Sequence, residues 1–551
     1  MQLNVLIIML AAGVNLGWMA VRAIKALHML QLDNYANDHF AQWLLEQPSR
    51  RLIEPMLALC QGAFIVALGL APLLGLSAAW PLVGWAVCGA GLLAYTVGRA
   101  EPPKKPLVYT PRAIRILATA LSLTLVALGV STWAAIIGLQ GDVAAPLAST
   151  TALIVLLVGL LIVQLSPLIV FLANILLVPV QSAINRSYLR RAQQRLSDVR
   201  PLVVGITGSY GKTSTKYLLD QLVSGHRRVL KTPLSYNTLM GVCRVINASL
   251  LDDCEVFIAE MGAYRPGDIK ALCDFVHPTI GILTAIGPQH LERFKTIENI
   301  QKTKYELIEA LPPSGVAIFN NDDPRCRLLA DRTTHVTVMR YGLDTDGQPL
   351  DLWAENMSMG PEGLSFAMVD KRGRRIDVQT VLLGRHNVLN ILGAACAAVA
   401  LGISLEDVAK AIHDIPPVPH RLQLIDNGGG VTVIDDSYNS NPIGAMAALE
   451  VLGSFRTGQR ILVTPGMVEL GPLEAQLNEE FGAKAAEVCD YVVLVGVERT
   501  KPMLAGLQRK NFPPEHIRVA RDLKAATAIL PTIVGVGDTV LFENDLPDQY
   551  T

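Results

Sequence analysis

The stretch Gly205-Ile206-Thr207-Gly208-Ser209-Tyr210-Gly211-Lys212-Thr213-Ser214 limits what this chain can fold into more than any other. It follows the apolar run Leu202-Val203-Val204 and opens a helix-compatible segment. A strand, a glycine-rich turn and a helix N-terminus in that order aim backbone N–H groups and the positive end of the helix dipole at an anion. Gly208, Ser209, Gly211, Lys212, Thr213 and Ser214 would form the cradle, with Lys212 reaching the β- and γ-phosphates of a nucleotide and the Thr213 hydroxyl on Mg²⁺. The usual spacing has glycine where Ile206 stands, and the nearest glycine is Gly205. An ordinary tight turn is the alternative, and the loop alone does not say which reaction follows.

The chain before the loop is unusually apolar. Hydrophobic residues make up 51% of the 551 residues against 17% charged, with a mean hydropathy of +0.36, too high for an ordinary soluble protein of this length. The excess lies in residues 3–21, 55–76, 78–98, 116–139 and 149–180, each long enough to cross a hydrocarbon core of about 30 Å, which needs about 20 helical residues. These runs predict five spanning helices, of which the last is long and carries Pro167, so that it is expected to tilt, kink or divide. Basic residues follow the first run (Arg22, Lys25, Arg50, Arg51), separate the third from the fourth (Arg99, Lys104, Lys105, Arg112, Arg115) and follow the fifth (Arg186, Arg190, Arg191, Arg195). The connections near 75–79 and 140–146 have none. By the positive-inside rule this predicts a multi-pass cell-membrane protein whose part after the fifth helix is cytoplasmic. A cleaved signal peptide at 3–21 is disfavoured because no Lys or Arg precedes the run. Residues 28–51 are more polar, with Met29, Leu32, Tyr35, Phe40, Trp43 and Leu44 at helical spacing. They read as an amphipathic helix on the membrane surface, or else as a docking face for a partner.

Composition excludes some classes. The eight Cys are scattered with no close metal-type pair, which predicts reduced core residues. With 47 basic against 48 acidic residues, nucleic acid is not expected as a partner.

From about Pro201, short apolar runs alternate with helical segments, at 202–206, 256–259, 279–284 and 316–319. This predicts a mostly parallel sheet covered by helices. After a Pro-rich break at 415–419 a second series begins, at 431–434, 461–464, 491–495 and 539–542. The expected organisation is therefore an α-helical membrane region over 1–198, a central P-loop ATPase domain of α/β class over 199–415 and a Rossmann-like α/β domain over 416–551. A site using both α/β domains would lie in the cleft between them.

Polar clusters stand where such a fold carries its chemistry, at the C-terminal ends of strands. Glu260 follows the second run and offers a carboxylate to Mg²⁺, or a helix cap. His290 follows the third as a possible ligand, although a lone histidine is more often structural. Asn320-Asn321-Asp322-Asp323 suits a base or ribose, and equally an Asx turn. Gly384-Arg385-His386-Asn387, with Asn390, opens an Ala-rich helix. Asp435-Asp436-Ser437-Tyr438-Asn439-Ser440-Asn441-Pro442 closes the first strand of the second series.

The order of these pieces resembles the Mur ligase family, ATP-dependent enzymes that add amino acids to the peptide of cell-wall precursors. The matching segments are TGSYGKTS, AEMGAYRPGDI, IGPQHLERF, KTKYE around Lys304, NNDD, GRHNVLN, PHRLQ around Arg421, DDSYNSNP and GMVELG, covering residues from about 200 to 551. DDSYNSNP and GMVELG look most like the forms in members that add D-alanyl-D-alanine to a tripeptide precursor, whose relatives usually carry His where Asn439 stands. The resemblance implies ATP and Mg²⁺ as cofactors. It implies Lys212, Lys304 and His290 as catalytic groups, and Thr213, Glu260, His290 and Lys304, the last carbamylated, around metal. Asn320, Asn387, Arg421 and Asp436 would complete the ATP site, and Tyr438, Asn439 and Asn441 would face substrate. The implied reaction passes the γ-phosphoryl group to a substrate carboxylate, after which an amine attacks the acyl phosphate.

Two departures bear on substrate. Apolar helices stand where typical members have a soluble UDP-sugar-binding domain, so the acceptor is expected to be a peptide-bearing cell-wall precursor, UDP-linked or lipid-linked, with an amino acid or dipeptide as the other substrate and the membrane as a partner. The C-terminus reads Phe542-Glu543-Asn544-Asp545-Leu546-Pro547-Asp548 where D-alanyl-D-alanine-adding members usually have Lys-Gly-Ser-Arg, which predicts an altered substrate-facing loop. A polyglutamate-type synthase is the neighbouring alternative, and a non-catalytic nucleotide-binding membrane scaffold the more distant one.

Overall fold

Leu202–Thr207, here β1, is mostly apolar and rich in β-branched residues (Val203, Val204, Ile206, Thr207), and from Val203 onward every residue is buried. Such a strand needs cover on both faces. It lies inside a nine-stranded sheet of order β2-β3-β1-β4-β5-β6-β7-β8-β9. The others are β2 (Val229–Lys231), β3 (Val256–Glu260), β4 (Ile280–Leu283), β5 (Val316–Asn320), β6 (Thr337–Gly342), β7 (Leu352–Gly360), β8 (Gly363–Asp370) and β9 (Arg375–Thr380). Strands β2 to β6 and β1 pair in parallel, while β7, β8 and β9 form an antiparallel meander at one edge. Alternate residues feed two cores. Val204, Ile206 and Ile258 join the helices Lys212–Ser224 and Arg385–Ala400, whereas Val203, Phe257 and Ala259 join the helices Leu239–Ser249, Asp268–Val276, Ile297–Glu309 and Pro324–Arg332. Chain order reverses at β1, with β3 on one side and β4 on the other, so the glycine loop opens at the switch point of the sheet.

The computed structural model describes residues 2–33, 35–46, 54–71, 79–98, 106–138, 157–233, 236–343, 347, 349–426, 429–438 and 440–545. They divide into two compact units, Met1–Asn185 and Arg186–Thr551. The second unit also holds a six-stranded sheet of order β10-β11-β15-β12-β13-β14. Its strands are β10 (Gln423–Asp426), β11 (Thr432–Asp436), β12 (Arg460–Thr464), β13 (Tyr491–Val495), β14 (Ile517–Ala520) and β15 (Thr539–Glu543), parallel except for β10. The expected strands fall within about two residues of those found, while the meander β7–β9, the interior strand β6 and the edge strands β2, β10 and β14 have no counterpart in the expected series.

The first unit is helical: Gln2–Leu32, Asn37–Glu46, Pro55–Leu70, Ala79–Gly98, Pro111–Gly138, Leu157–Gln164 and Ser166–Leu176. Trp18, Met19, Leu27, Phe40, Leu57, Trp85, Ile116 and Val170 form its core, and Gln61 Nε2 donates to Asn15 Oδ1 at 3.0 Å within it. In Asn37–Glu46, Phe40 and Leu44 are buried, with Phe40 5.3 Å from Trp43 and 5.9 Å from Phe171, while Leu45 is exposed; residues 47–51 lie outside the described residues.

The multi-pass membrane placement with cytoplasmic ligase domains does not stand. Among the described residues one helical segment, Pro111–Val130, is long and apolar enough to cross a bilayer, or two if Leu157–Gln164 and Ser166–Leu176 count as one span. For the last run the reason is geometric: run 149–180 breaks at Leu165, where those two helices meet at 63°. Run 55–76 begins with the helix Pro55–Leu70, and residues 72–76 lie outside the described residues. Hydropathy counts apolar residues but does not register where a helix ends. All eight Cys are unpaired, and the six from Cys243 onward are buried, as expected.

In the second unit the helices Glu474–Val488 and Lys501–Arg509 approach to backbone contact. A Cβ at Gly482 would stand 2.2 Å from the Met503 carbonyl oxygen, and one at Gly506 2.0 Å from that of Glu479. Gly506→Ala is therefore expected to lower stability by about 1–3 kcal/mol through overpacking, read as a lower denaturation midpoint and faster hydrogen exchange in both helices.

Candidate active site

The loop after β1 closes as the glycines require. Gly211 caps the helix Lys212–Ser224 at φ 82°, a left-handed conformation that costs glycine nothing. A Cβ there would meet Asn390 Oδ1 at 2.4 Å, and one at Gly208 would meet Thr284 Oγ1 at 1.9 Å. Lys212 Nζ folds back on its own loop, donating to the carbonyls of Gly208 (2.7 Å) and Ser209 (3.2 Å) and to Gln289 Oε1 (3.5 Å). Burial, joined by repulsion from Arg421 and opposed by Glu260, brings its pKa down to about 8. Ser209 Oγ donates to the Gly287 carbonyl at 2.9 Å, and Ser214 is buried in the first turn of the helix.

Glu260, at the end of β3, is 2% exposed and fully bonded. Its Oε2 accepts from Lys216 Nζ at 2.8 Å and Thr213 Oγ1 at 3.1 Å, and its Oε1 from Asn237 Nδ2 at 3.1 Å. Burial alone would raise its pKa, but the ammonium groups of Lys216 and Lys212, with the Lys216 and Asn237 hydrogen bonds, hold it below the usual carboxylate value. A hydroxyl and a carboxylate oxygen face each other here, the donor chemistry of a hard divalent cation.

Lys304, on the helix Ile297–Glu309, is buried and donates to the same Gly208 carbonyl at 2.8 Å. Burial first, and then Lys212, hold its pKa well below the ordinary lysine value, favouring the neutral amine. His290 turns elsewhere. It stands at φ 54° before the short helix Leu291–Phe294, and its Nδ1 pairs with Glu469 Oε2 of the GMVELG segment, joining the two sheets' loops. Among the described residues no three His, Cys, Asp or Glu side chains gather as a metal cluster.

The amides serve local geometry. Asn320 donates to the Thr284 carbonyl at 2.9 Å and accepts from Asp322 N at 3.1 Å. Asn387 donates to the Leu383 carbonyl at 2.7 Å and accepts from Asn390 at 3.0 Å. Thr215 in turn donates to Asn390 at 3.4 Å, tying the helix Arg385–Ala400 to the glycine loop. In the second sheet, Arg421 stacks over Tyr438 at 4.7 Å and lies close enough to Lys212 to lower its pKa. Asp436, at the end of β11, is buried and accepts from Leu422 N at 3.2 Å. Asn441 caps the helix Pro442–Ser454 by accepting from Gly444 N at 2.9 Å, and Asn439 lies outside the described residues.

Thus Gly208, Lys212, Thr213, Glu260 and Lys304 gather at one strand-end crevice with Arg421 nearby, while His290, Asn320, Asn387 and Asn441 are engaged by protein groups. Sequence reasoning missed Lys216, Asn237 and Glu469. Lys216 left a signal, being a charge set among the buried Thr215, Leu219, Leu222 and Val223, with Asp220 one turn on. In the C-terminal segment Glu543 is 1% exposed and bonded to Ser440, and residues 546–548 lie outside the described residues.

Comparison with known proteins agrees with this geometry. Residues 206–398 match the Mur ligase middle domain, and residues 420–543 the Mur ligase, glutamate ligase domain. The UDP-N-acetylmuramoyl-tripeptide–D-alanyl-D-alanine ligase of Mycobacterium leprae is 34% identical over 62% of this chain and 70% of its own length. The ligase of that name from Mycobacterium bovis is 35% identical over 54% of this chain, which spans only 59% of that relative. The crystal structure of MurF ligase from Thermotoga maritima in complex with ADP superposes with a TM-score of 0.57 at 28% identity, covering 66% of this chain and 80% of that one. With one sheet carrying the glycine loop and its Lys212, the other supplying Arg421 and Asp436, and relatives that agree across both, the chain belongs to the Mur ligase family.

Proposed function

We propose that this chain is an ATP-dependent amide ligase that joins D-alanyl-D-alanine to the peptide of a cell-wall precursor in peptidoglycan synthesis, with residues 199–415 as its ATP-binding domain and 416–551 as its C-terminal domain. The convergence of Lys212, Lys304, Thr213 and Glu260 on one loop carries the reading. The names of its relatives supply the substrates, a UDP-N-acetylmuramoyl-tripeptide and D-alanyl-D-alanine.

In this reading the loop N–H groups and the helix dipole hold the ATP phosphates, and Lys212 leaves the Gly208 and Ser209 carbonyls to neutralise charge on the transferring group. The substrate carboxylate oxygen takes the γ-phosphoryl group and ADP departs. The amine of the dipeptide then attacks the acyl carbon, the C–N bond forms as the nitrogen gives up a proton to solvent, and the acyl C–O bond breaks with its electron pair leaving on inorganic phosphate. Thr213 and Glu260 would hold Mg²⁺, which when bound supplies positive charge opposite the phosphate oxygens. Arg421 and Asp436 close the nucleotide site from the second sheet, with Asn320 and Asn387 shaping its adenine side and Tyr438, Asn439 and Asn441 its substrate side. His290 would reach the metal by exchanging Glu469 for it. Lys304, neutral and buried, is suited to add to CO₂ as a free amine, losing a proton and becoming a carbamate anion.

The direct test is ATP-dependent amide formation by the purified chain with UDP-N-acetylmuramoyl-tripeptide and D-alanyl-D-alanine. No ADP release on adding both substrates would refute the reading. Lys212→Ala is expected to lower turnover about 10²–10³-fold with folding intact, seen as unchanged circular dichroism. Because the lowered Lys212 pKa means its charge is lost as pH rises through about 8, ATP affinity of the free enzyme should weaken above that pH. Lys304→Ala should lose activity that added acetate partly restores by supplying the missing anion, and rates unchanged by the substitution would remove the carbamate from the scheme.

A further inference from the structure

Asp436 and Glu543 end two neighbouring parallel strands, β11 and β15, and are partners in register. In-register residues of adjacent strands project to the same side about 5 Å apart, so the pairing sets one carboxyl beside the other. Both are buried, at 9% and 1% exposure. Glu543 Oε1 accepts from Ser440 Oγ, whereas Oε2 is buried with no hydrogen-bond donor among the described residues. Asp436 Oδ1 accepts from Leu422 N at 3.2 Å. Ionised carboxylates only accept hydrogen bonds, so two of them side by side in a dry site require a proton between them.

We propose that Glu543, as a neutral acid, is a positioning residue that donates a hydrogen bond to Asp436 and so orients a carboxylate that, on the reading above, closes the nucleotide site. The neighbouring residue braces the same place. Asn544, at φ 69°, donates from its backbone N to the Asp436 carbonyl at 3.2 Å and from Nδ2 to the Gly466 carbonyl at 2.7 Å, and its Oδ1 accepts from Ser440 N at 3.2 Å. The ends of β11, β12 and β15 are thereby linked through one side chain.

The charged groups facing the pair are Arg421 and Asp435, the latter bonded to His420 Nδ1 at 2.7 Å. Burial and then Asp436 push the Glu543 pKa well above the ordinary carboxylate value; burial also raises Asp436, but Arg421 pulls it back. The proton therefore rests on Glu543, and the pair presents one negative charge, not two, beside Arg421 and an incoming triphosphate. With a raised pKa, the acid form of Glu543 is complete below the ordinary carboxylate range and is lost as pH rises through the raised value.

The test is Mg–ATP binding to the full chain by calorimetry from neutral to alkaline pH, with E543Q and E543A beside the unaltered protein. Glutamine keeps a donor and does not titrate, so E543Q should bind as the unaltered protein does at neutral pH and lose part of its alkaline fall in affinity. Lys212 titrates in the same region and contributes a fall of its own, so the difference between the two profiles is the readout. E543A should bind about tenfold or more weakly at neutral pH, the loss expected for a hydrogen bond to a charged group. Infrared spectra should show a protonated-carboxyl band at neutral pH that disappears in E543Q, which reads the proton without any nucleotide. An E543Q profile identical to that of the unaltered protein, or no such band to lose, would overturn the proposal. Failure of the unaltered protein to bind ATP at any pH is a different result: it would remove the nucleotide reading, and the positioning role with it.

Discussion

A carboxylate can end a wholly buried strand only when a cation is buried with it, and the site depends on that condition at Glu260. An unpaired charge in such a place costs several kcal/mol, and removing one partner of a buried pair typically costs about 3–5 kcal/mol. Lys216 meets the need from the helix that begins at the glycine loop, at 2.8 Å and with no exposure of its own. The contact locks β3 to the helix Lys212–Ser224, and so sets where the loop's N–H groups point. Thr213 and Asn237 complete the shell, leaving Glu260 charged in an otherwise apolar layer.

A second economy operates at the Gly208 carbonyl, where Lys212 and Lys304 both donate. Two amines sharing one acceptor in a buried place repel each other when both are charged. The outcome is unequal: Lys212, more accessible to an anion, keeps much of its charge, and Lys304 is pressed toward neutrality. Burial, which lowers both, combines with Lys212 to hold Lys304 near neutrality, while Glu260 opposes that lowering at Lys212, so one lysine is prepared to meet phosphate and the other to behave as a nucleophile.

How much of this was legible in the sequence followed from how local each cause is. The glycine loop, the parallel strands and the break at 415–419 are written in short-range pattern, and they appear in the structure close to where the pattern puts them. The meander β7–β9 was not legible because Leu352–Gly360 mixes Met, Glu and Asn without clean alternation, and a register shift between Glu355 and Ser358 breaks the period further. The first unit misled for the opposite reason. Its apolar signal is real, but what decides a span is where helices stop and bend, and the break at Leu165 has no strong mark beyond Pro167. Site pairs such as His290 with Glu469, or Asp436 with Glu543, join residues about a hundred or more apart and depend on how loops and strands meet in three dimensions, the second on sheet register, which composition does not carry.

Tyr210 stands within the glycine loop with its ring laid against Gly287, where a Cβ would come within 2.5 Å of the hydroxyl. Neither residue can change alone: a side chain at 287 collides with the phenol, and a small residue at 210 leaves a void above the loop that follows β4. Such a pair is inherited as a unit. Among descendants of this sequence, substitutions at the two positions should arise together or in quick succession, with the loss of the aromatic ring opening the way for any residue larger than glycine at 287.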